Sequence, residues 1–130
     1  MRIGVPKEIK NHEYRVGLTP QSVGELIQAG HEVWVETNAG HAIGFSDDAY
    51  LNSGAAIAPD AAAVFVEAEL IVKVKEPQPQ EVALLKPHHT LFTYLHLAPA
   101  PELTRSLMVS GAACIAYETV TDNAGRLPLL

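Results

Sequence analysis

The chain is 130 residues long, enough for one domain with one core, and 48% of it is hydrophobic. A formal net charge of -6 and an isoelectric point near 5.4 leave no basic footprint, so nucleic acid and anionic membrane surfaces are excluded as expected partners. The lone Cys114 excludes an intramolecular disulfide, and no apolar run reaches the ~20 residues that span a bilayer; the expectation is a cytoplasmic protein acting on small molecules.

In chain order, Arg2–Pro6 reads as a first strand. Thr19 followed by Pro20 opens a helix with Val23, Leu26 and Ile27 on one face and Gly30 as its stop. His31–Glu36 alternates Val33 and Val35 with polar neighbours, a second strand, and Asn38–Phe45 is a glycine-containing loop. Ser46 caps a short helix through Asn52, with Asp47 and Asp48 at the positive end of its dipole. Ala55–Ala58 is a short strand, and Asp60 caps an alanine-rich helix to about Glu67. Leu70–Lys75 is the next strand, ended by Pro77 and Pro79, and Gln80–Leu85 is a helix of one to two turns. Leu91–Leu95, a helix over Pro101–Ser110 stopped by Gly111, and a strand over Ala112–Tyr117 complete the series. Valine- and isoleucine-rich strands alternating with helices indicate β-α-β units in a parallel sheet. The apolar ending Leu127-Pro128-Leu129-Leu130 has no polar cap, which suggests that the domain is whole and the protein continues.

Three polar residues fall where these strands end. Arg15 lies in the loop after the first strand, Lys75 closes Leu70–Lys75, and His96 follows Leu91–Leu95. In open α/β sheets ligands bind beyond the carboxyl ends of the strands, so two cations and one group titrating near neutrality can converge there on a small carboxylate. The planar fork of arginine suits a carboxylate better than lysine does. Against this, alternation puts Lys73 and Lys75 together on a face that reads as solvated, and a lone strand histidine is commonly structural. His88, His89 and His96 do not make a metal site, because the adjacent pair is expected to diverge and no i, i+4 partner supports it. Cys114 reads as a small buried hydrophobe.

The ordered motifs Met1-Arg2-Ile3-Gly4-Val5-Pro6-Lys7-Glu8, Glu13-Tyr14-Arg15-Val16 and Leu18-Thr19-Pro20 resemble the amino-terminal signature shared by alanine dehydrogenase and the nicotinamide nucleotide transhydrogenase alpha chain. Lys73-Val74-Lys75-Glu76-Pro77, Phe92-Thr93-Tyr94-Leu95-His96-Leu97-Ala98 and Ile115-Ala116-Tyr117-Glu118-Thr119-Val120 resemble the dehydrogenase, since the transhydrogenase lacks counterparts of Lys75 and His96. Pro99 and Pro101 depart from the family pattern and leave the register of the following helix open.

The resemblance implies a three-layer, Rossmann-like (flavodoxin-like) parallel sheet with helices on both faces. Residues 1–130 would be the amino-terminal substrate-binding domain, ending before an NAD-binding domain. It further implies that Arg15 and Lys75 bind the carboxylate of pyruvate or L-alanine, that Lys75 also lies near the reacting carbonyl or amine, and that His96 is the proton donor and acceptor. Tyr94 would line the pocket, and Glu118 would either bind at the strand end or form a structural salt bridge. NAD belongs to the complete enzyme, a cytoplasmic homo-oligomer, because no Gly-x-Gly-x-x-Gly follows a strand in this chain. Two classes remain: the substrate half of an NAD-dependent alanine dehydrogenase, inactive alone, or a non-catalytic module that binds small carboxylates or serves assembly.

Overall fold

Apolar side chains recur every second residue in the strands and every third or fourth in the helices, and the two periods alternate along the chain. The computed structural model, which describes residues 1–130, places them as β1 (Arg2–Val5), α1 (Pro20–Gln28), β2 (Glu32–Glu36), α2 (Asp47–Asn52), β3 (Ala56–Ala58), α3 (Ala61–Glu67), β4 (Leu70–Val72), α4 (Pro79–Val82), β5 (Thr90–Thr93), α5 (Pro101–Ser110) and β6 (Ala113–Ala116). Short 3₁₀ turns occupy His41–Ile43 and Tyr117–Thr119. All adjacent pairs are parallel, in the order β3-β2-β1-β4-β5-β6. The sheet is Rossmann-like as expected, and its order reverses direction between β1 and β4, the switch point beside which ligands of such sheets bind.

The helix caps form as their residue types dictate. Thr19 accepts from the Ser22 amide, Ser46 from Ala49 and Asp60 from Ala63. Pro101 takes the first position of α5, where its missing N–H costs nothing, so the two prolines leave the helix over Pro101–Ser110 in the expected register.

Two cores fill the two faces of the sheet. Ile3, Val5, Val33, Val35 and Val72 meet Val23 of α1 and Tyr50 of α2 on one side; Ile71 and Leu91 meet Val64 and Phe65 of α3 and Leu107 of α5 on the other. Gly4 permits the close approach of α3, since a Cβ there would stand 2.7 Å from both Ala68 and Val64 side-chain atoms.

Several boundaries fall short of the expected ones, most consequentially in β4, which stops at Val72 rather than Lys75. Backbone bonds from Lys73 to Phe92 and from Tyr94 to Val74 still tie the two segments together beyond that point. The expected solvated face is also wrong for Lys73, which is only 1% exposed. The anticipated short helix is Pro79–Val82, starting at proline and stopping before Leu85.

Candidate functional site

The loop after β1 lies directly on the end of β4. Gly17 makes that possible: a Cβ at this position would stand 2.5 Å from the Val72 carbonyl oxygen. Glu8, in the same loop, is buried and accepts from the Val74 amide at 2.7 Å and more weakly from the Lys75 amide at 3.4 Å. Arg15 and Lys75 are thus presented by two segments held together at the switch point.

Buried Lys73 supplies the counter-charge beneath this junction. Its Nζ donates to Glu81 Oε1 at 2.7 Å and lies 3.3 Å from Glu8 Oε2. The other oxygen of Glu81 accepts from the Gln78 amide at 2.7 Å, and Tyr117 donates to the Lys73 carbonyl at 3.0 Å. Burial pushes the Glu8 carboxyl above its ordinary value despite the adjacent ammonium. Lys73 therefore belongs to the internal scaffold, whereas Lys75 is half-exposed at the sheet end.

Arg15 is exposed, and its fork is already half engaged. Nε and Nη2 each donate at 2.8 Å to the two oxygens of Glu13, whose side chain is only 7% exposed. A guanidinium has two bidentate edges, and this pairing leaves the Nη1–Nη2 edge available. The Arg15 side chain holds the Glu13 carboxyl down to about 2, with a smaller contribution from Lys75, while Tyr94 acts electrostatically on Arg15. Glu13 was not singled out from the sequence; its signal was an acid two residues before an arginine in a loop.

His96 has φ 50°, in the left-handed region that costs a non-glycine residue roughly 1–2 kcal/mol. Glu118 offsets that cost: its Oε1 accepts from the His96 amide at 2.7 Å and from the Leu95 amide at 3.1 Å. Burial works to raise the Glu118 carboxyl, but these backbone donors outweigh it and hold the group below its ordinary value. Glu118 thus forms no salt bridge with a basic side chain; its carboxylate fixes the backbone of Leu95 and His96. The His96 ring stacks near that of Tyr94, with centroids 5.9 Å apart and planes inclined by 24°, and Tyr94 meets Tyr117 edge to face. Tyr94 donates through its hydroxyl to the Leu129 carbonyl.

The structure gathers Arg15, Lys75, Tyr94 and His96 beyond the carboxyl ends of β1, β4 and β5, but not in one closed cavity. A cavity of about 420 Å³ opens beside Arg15 and is lined by Lys7, Glu13, Asn38 and His41 among others; it does not include Lys75 or His96.

The remaining candidates have structural roles. His88 and His89 do not diverge as expected, their ring centroids lying 4.1 Å apart. Both nitrogens of buried His89 are nevertheless occupied, Nδ1 by the Lys86 amide and Nε2 facing the Phe65 carbonyl at 2.9 Å. Burial pushes the Cys114 thiol up, away from the reactive thiolate.

The turn after β1 does not fit a dinucleotide pyrophosphate. Where such a turn carries glycines leading straight into a helix N-terminus, this one runs Pro6-Lys7-Glu8, buries a carboxylate, and reaches α1 only at Pro20.

Residues 4–130 match the sequence profile of the family described as "Alanine dehydrogenase/PNT, N-terminal domain". The alanine dehydrogenase of Halomonas elongata is 57% identical over 130 residues, covering 100% of this chain and 35% of its own length. That of Bacillus subtilis is 53% identical over 131 residues, covering 100% and 34%. Among solved structures, an L-alanine dehydrogenase superposes with TM-score 0.95 at 53% identity over 98% of this chain and 35% of its own. The transhydrogenase from Sinorhizobium meliloti gives 0.85 at 26% identity over 91% and 35%. The chain therefore spans about 35% of the length of these relatives. No helix is long and apolar enough to cross a membrane. With sequence profile, relatives and backbone in agreement, this chain belongs to the alanine dehydrogenase/PNT amino-terminal domain family.

Proposed function

We propose that this chain is the substrate-binding part of an NAD-dependent alanine dehydrogenase, which converts L-alanine, NAD and water to pyruvate, ammonium and NADH. The observation that supports the reading is that Arg15, Lys75 and His96 follow β1, β4 and β5, three neighbouring strands of the sheet. NAD would be held outside these residues, whose β1 turn offers no phosphate cradle.

In this reading the open edge of Arg15 takes the substrate carboxylate, pre-aligned by Glu13 from behind. Such preorganisation avoids ordering a long side chain when substrate arrives. Lys75 adds positive charge at the carboxylate and beside the reacting oxygen or nitrogen. His96 carries the proton for imine formation and hydrolysis, for which imidazole has a suitable range near neutrality. The reading carries with it a cytoplasmic homo-oligomer, a state compatible with the exposed Met108, Val109 and Ile115 around α5 and β6.

Kinetics of variants in the complete protein carrying this domain test the roles separately. Arg15→Lys should raise the pyruvate KM about ten- to a hundredfold, because a point charge cannot replace a charge-assisted fork contributing about 1.5–3 kcal/mol. His96→Ala should lower kcat by ~10²–10⁴. Lys75→Ala should damage both parameters. A His96→Ala protein with unchanged kcat and a raised KM would make His96 a binding residue, and no alanine-dependent turnover in the unaltered protein would favour the non-catalytic carboxylate-binding module.

A further inference from the structure

Glu76 sits between Lys75 and Pro77, its side chain largely buried beside the exposed imidazole of His96. One oxygen, Oε1, accepts from Lys10 Nζ. The other, Oε2, is buried, has no hydrogen-bond partner, and lies 3.6 Å from His96 Nδ1. A buried carboxylate oxygen without a donor leaves a desolvation penalty uncompensated, and the nearby nitrogen is the group placed to relieve it. The present separation is too long for a hydrogen bond. Closing it requires the half-exposed His96 ring to turn toward Glu76.

We propose that Glu76 is a positioning residue for His96: its free oxygen selects the imidazole tautomer with the proton on Nδ1 and leaves Nε2 as the nitrogen facing substrate. The inference rests on the acid–base reading of His96 and adds to it a specific orienting partner. The rest of the surroundings of His96 do not compete for Nδ1. Glu118 is occupied by the Leu95 and His96 amides, the Tyr94 ring lies along the imidazole face with its hydroxyl on Leu129, and Lys10 reaches His96 only through Glu76. Pro77 stiffens the backbone next to Glu76, and the Gln78 side chain donates to the Glu76 carbonyl at 3.1 Å. Burial works to raise the Glu76 carboxyl, but Lys10, with smaller contributions from its own backbone amide and from His96, outweighs it, so the group stays below its ordinary value and is an anion at neutral pH. An anion held at Nδ1 with the other ring nitrogen free is the arrangement by which a carboxylate orients an acid–base histidine elsewhere.

Nitrogen NMR of the ¹⁵N-histidine-labelled chain reads the tautomer directly, at a pH of about 9 where an ordinary imidazole is neutral. A His96→Asn spectrum identifies the His96 signals among the six histidines. The expected result is a dominant Nδ1–H form in the unaltered chain. Glu76→Ala should restore the Nε2–H form that free histidine prefers in water, and Lys10→Ala, which keeps the carboxylate, should retain Nδ1–H. A dominant Nε2–H form in the unaltered chain overturns the proposal without any variant, as does an Nδ1–H form that survives Glu76→Ala. The tautomer reports on the Glu76 contact alone, whereas turnover of His96→Ala reports on the acid–base reading, so the two fail separately.

Discussion

Arg15 and His96 are each held by a neighbouring acid. Glu13 grips one edge of the Arg15 fork from a buried position, and Glu118 stabilises the left-handed backbone of His96. Because folding lowers the Glu13 carboxyl from 4.5 to about 2, the pair contributes its full stability above the unfolded value near 4.5 and loses it as the pH falls toward 2. Urea midpoints measured across that interval should fall with acidification, and Glu13→Gln should flatten the fall; a variant with the same acid dependence would show that the clamp contributes nothing to folding. At this scale the sequence shows the cations and hides their supports. Arginine, lysine and histidine at strand ends can be found by alternation, whereas Glu13, Glu76 and Glu118 take their meaning from contacts that only the folded backbone creates.

At the level of elements, the ends of β1 and β4 are joined by a buried charge network. Lys73, Glu8 and Glu81 come from different elements, and the polar atoms of the two carboxylates are satisfied by backbone amides as well as by the ammonium. A network of that kind need not add stability over an apolar core, but removing one member leaves a buried charge unpaired. Lys73→Met should therefore cost about 3–5 kcal/mol in urea unfolding. A loss below about 1 kcal/mol, the scale of an exposed pair, would contradict burial of the network. Lys73 is also where strand alternation misled. The rule placed it correctly opposite Val72 and Val74, but a lysine was assumed to need water, when Glu8 and Glu81 supply its partners. The early end of β4 involves the same carboxylate, because the Val74 amide donates to Glu8 and not to a neighbouring strand. Elements with strong local signals behave otherwise: α1, α2 and α5 begin where Thr19, Ser46 and Pro101 require.

Across the whole molecule, the strand order β3-β2-β1-β4-β5-β6 is shared with dinucleotide-binding domains, while the first turn carries a buried carboxylate in place of glycines. Topology and ligand are thus separable, and function follows the side chains at the switch point. Calorimetry of this chain with NAD should give no saturable heat; a saturating isotherm would place a dinucleotide site within these residues. The parallel α/β class was legible because strands and helices alternate with distinct periods, and the order of the strands was not, since long-range pairing leaves no local trace. If Arg15, Lys75 and His96 form one carboxylate site, pyruvate titrated into the isotopically labelled chain must perturb all three. Saturable NMR shifts are expected at the Arg15 guanidinium, the Lys75 ammonium and the His96 imidazole, with affinity reduced about tenfold or more by Arg15→Lys. Shifts confined to other residues, or an affinity indifferent to Arg15→Lys, would contradict a single carboxylate site.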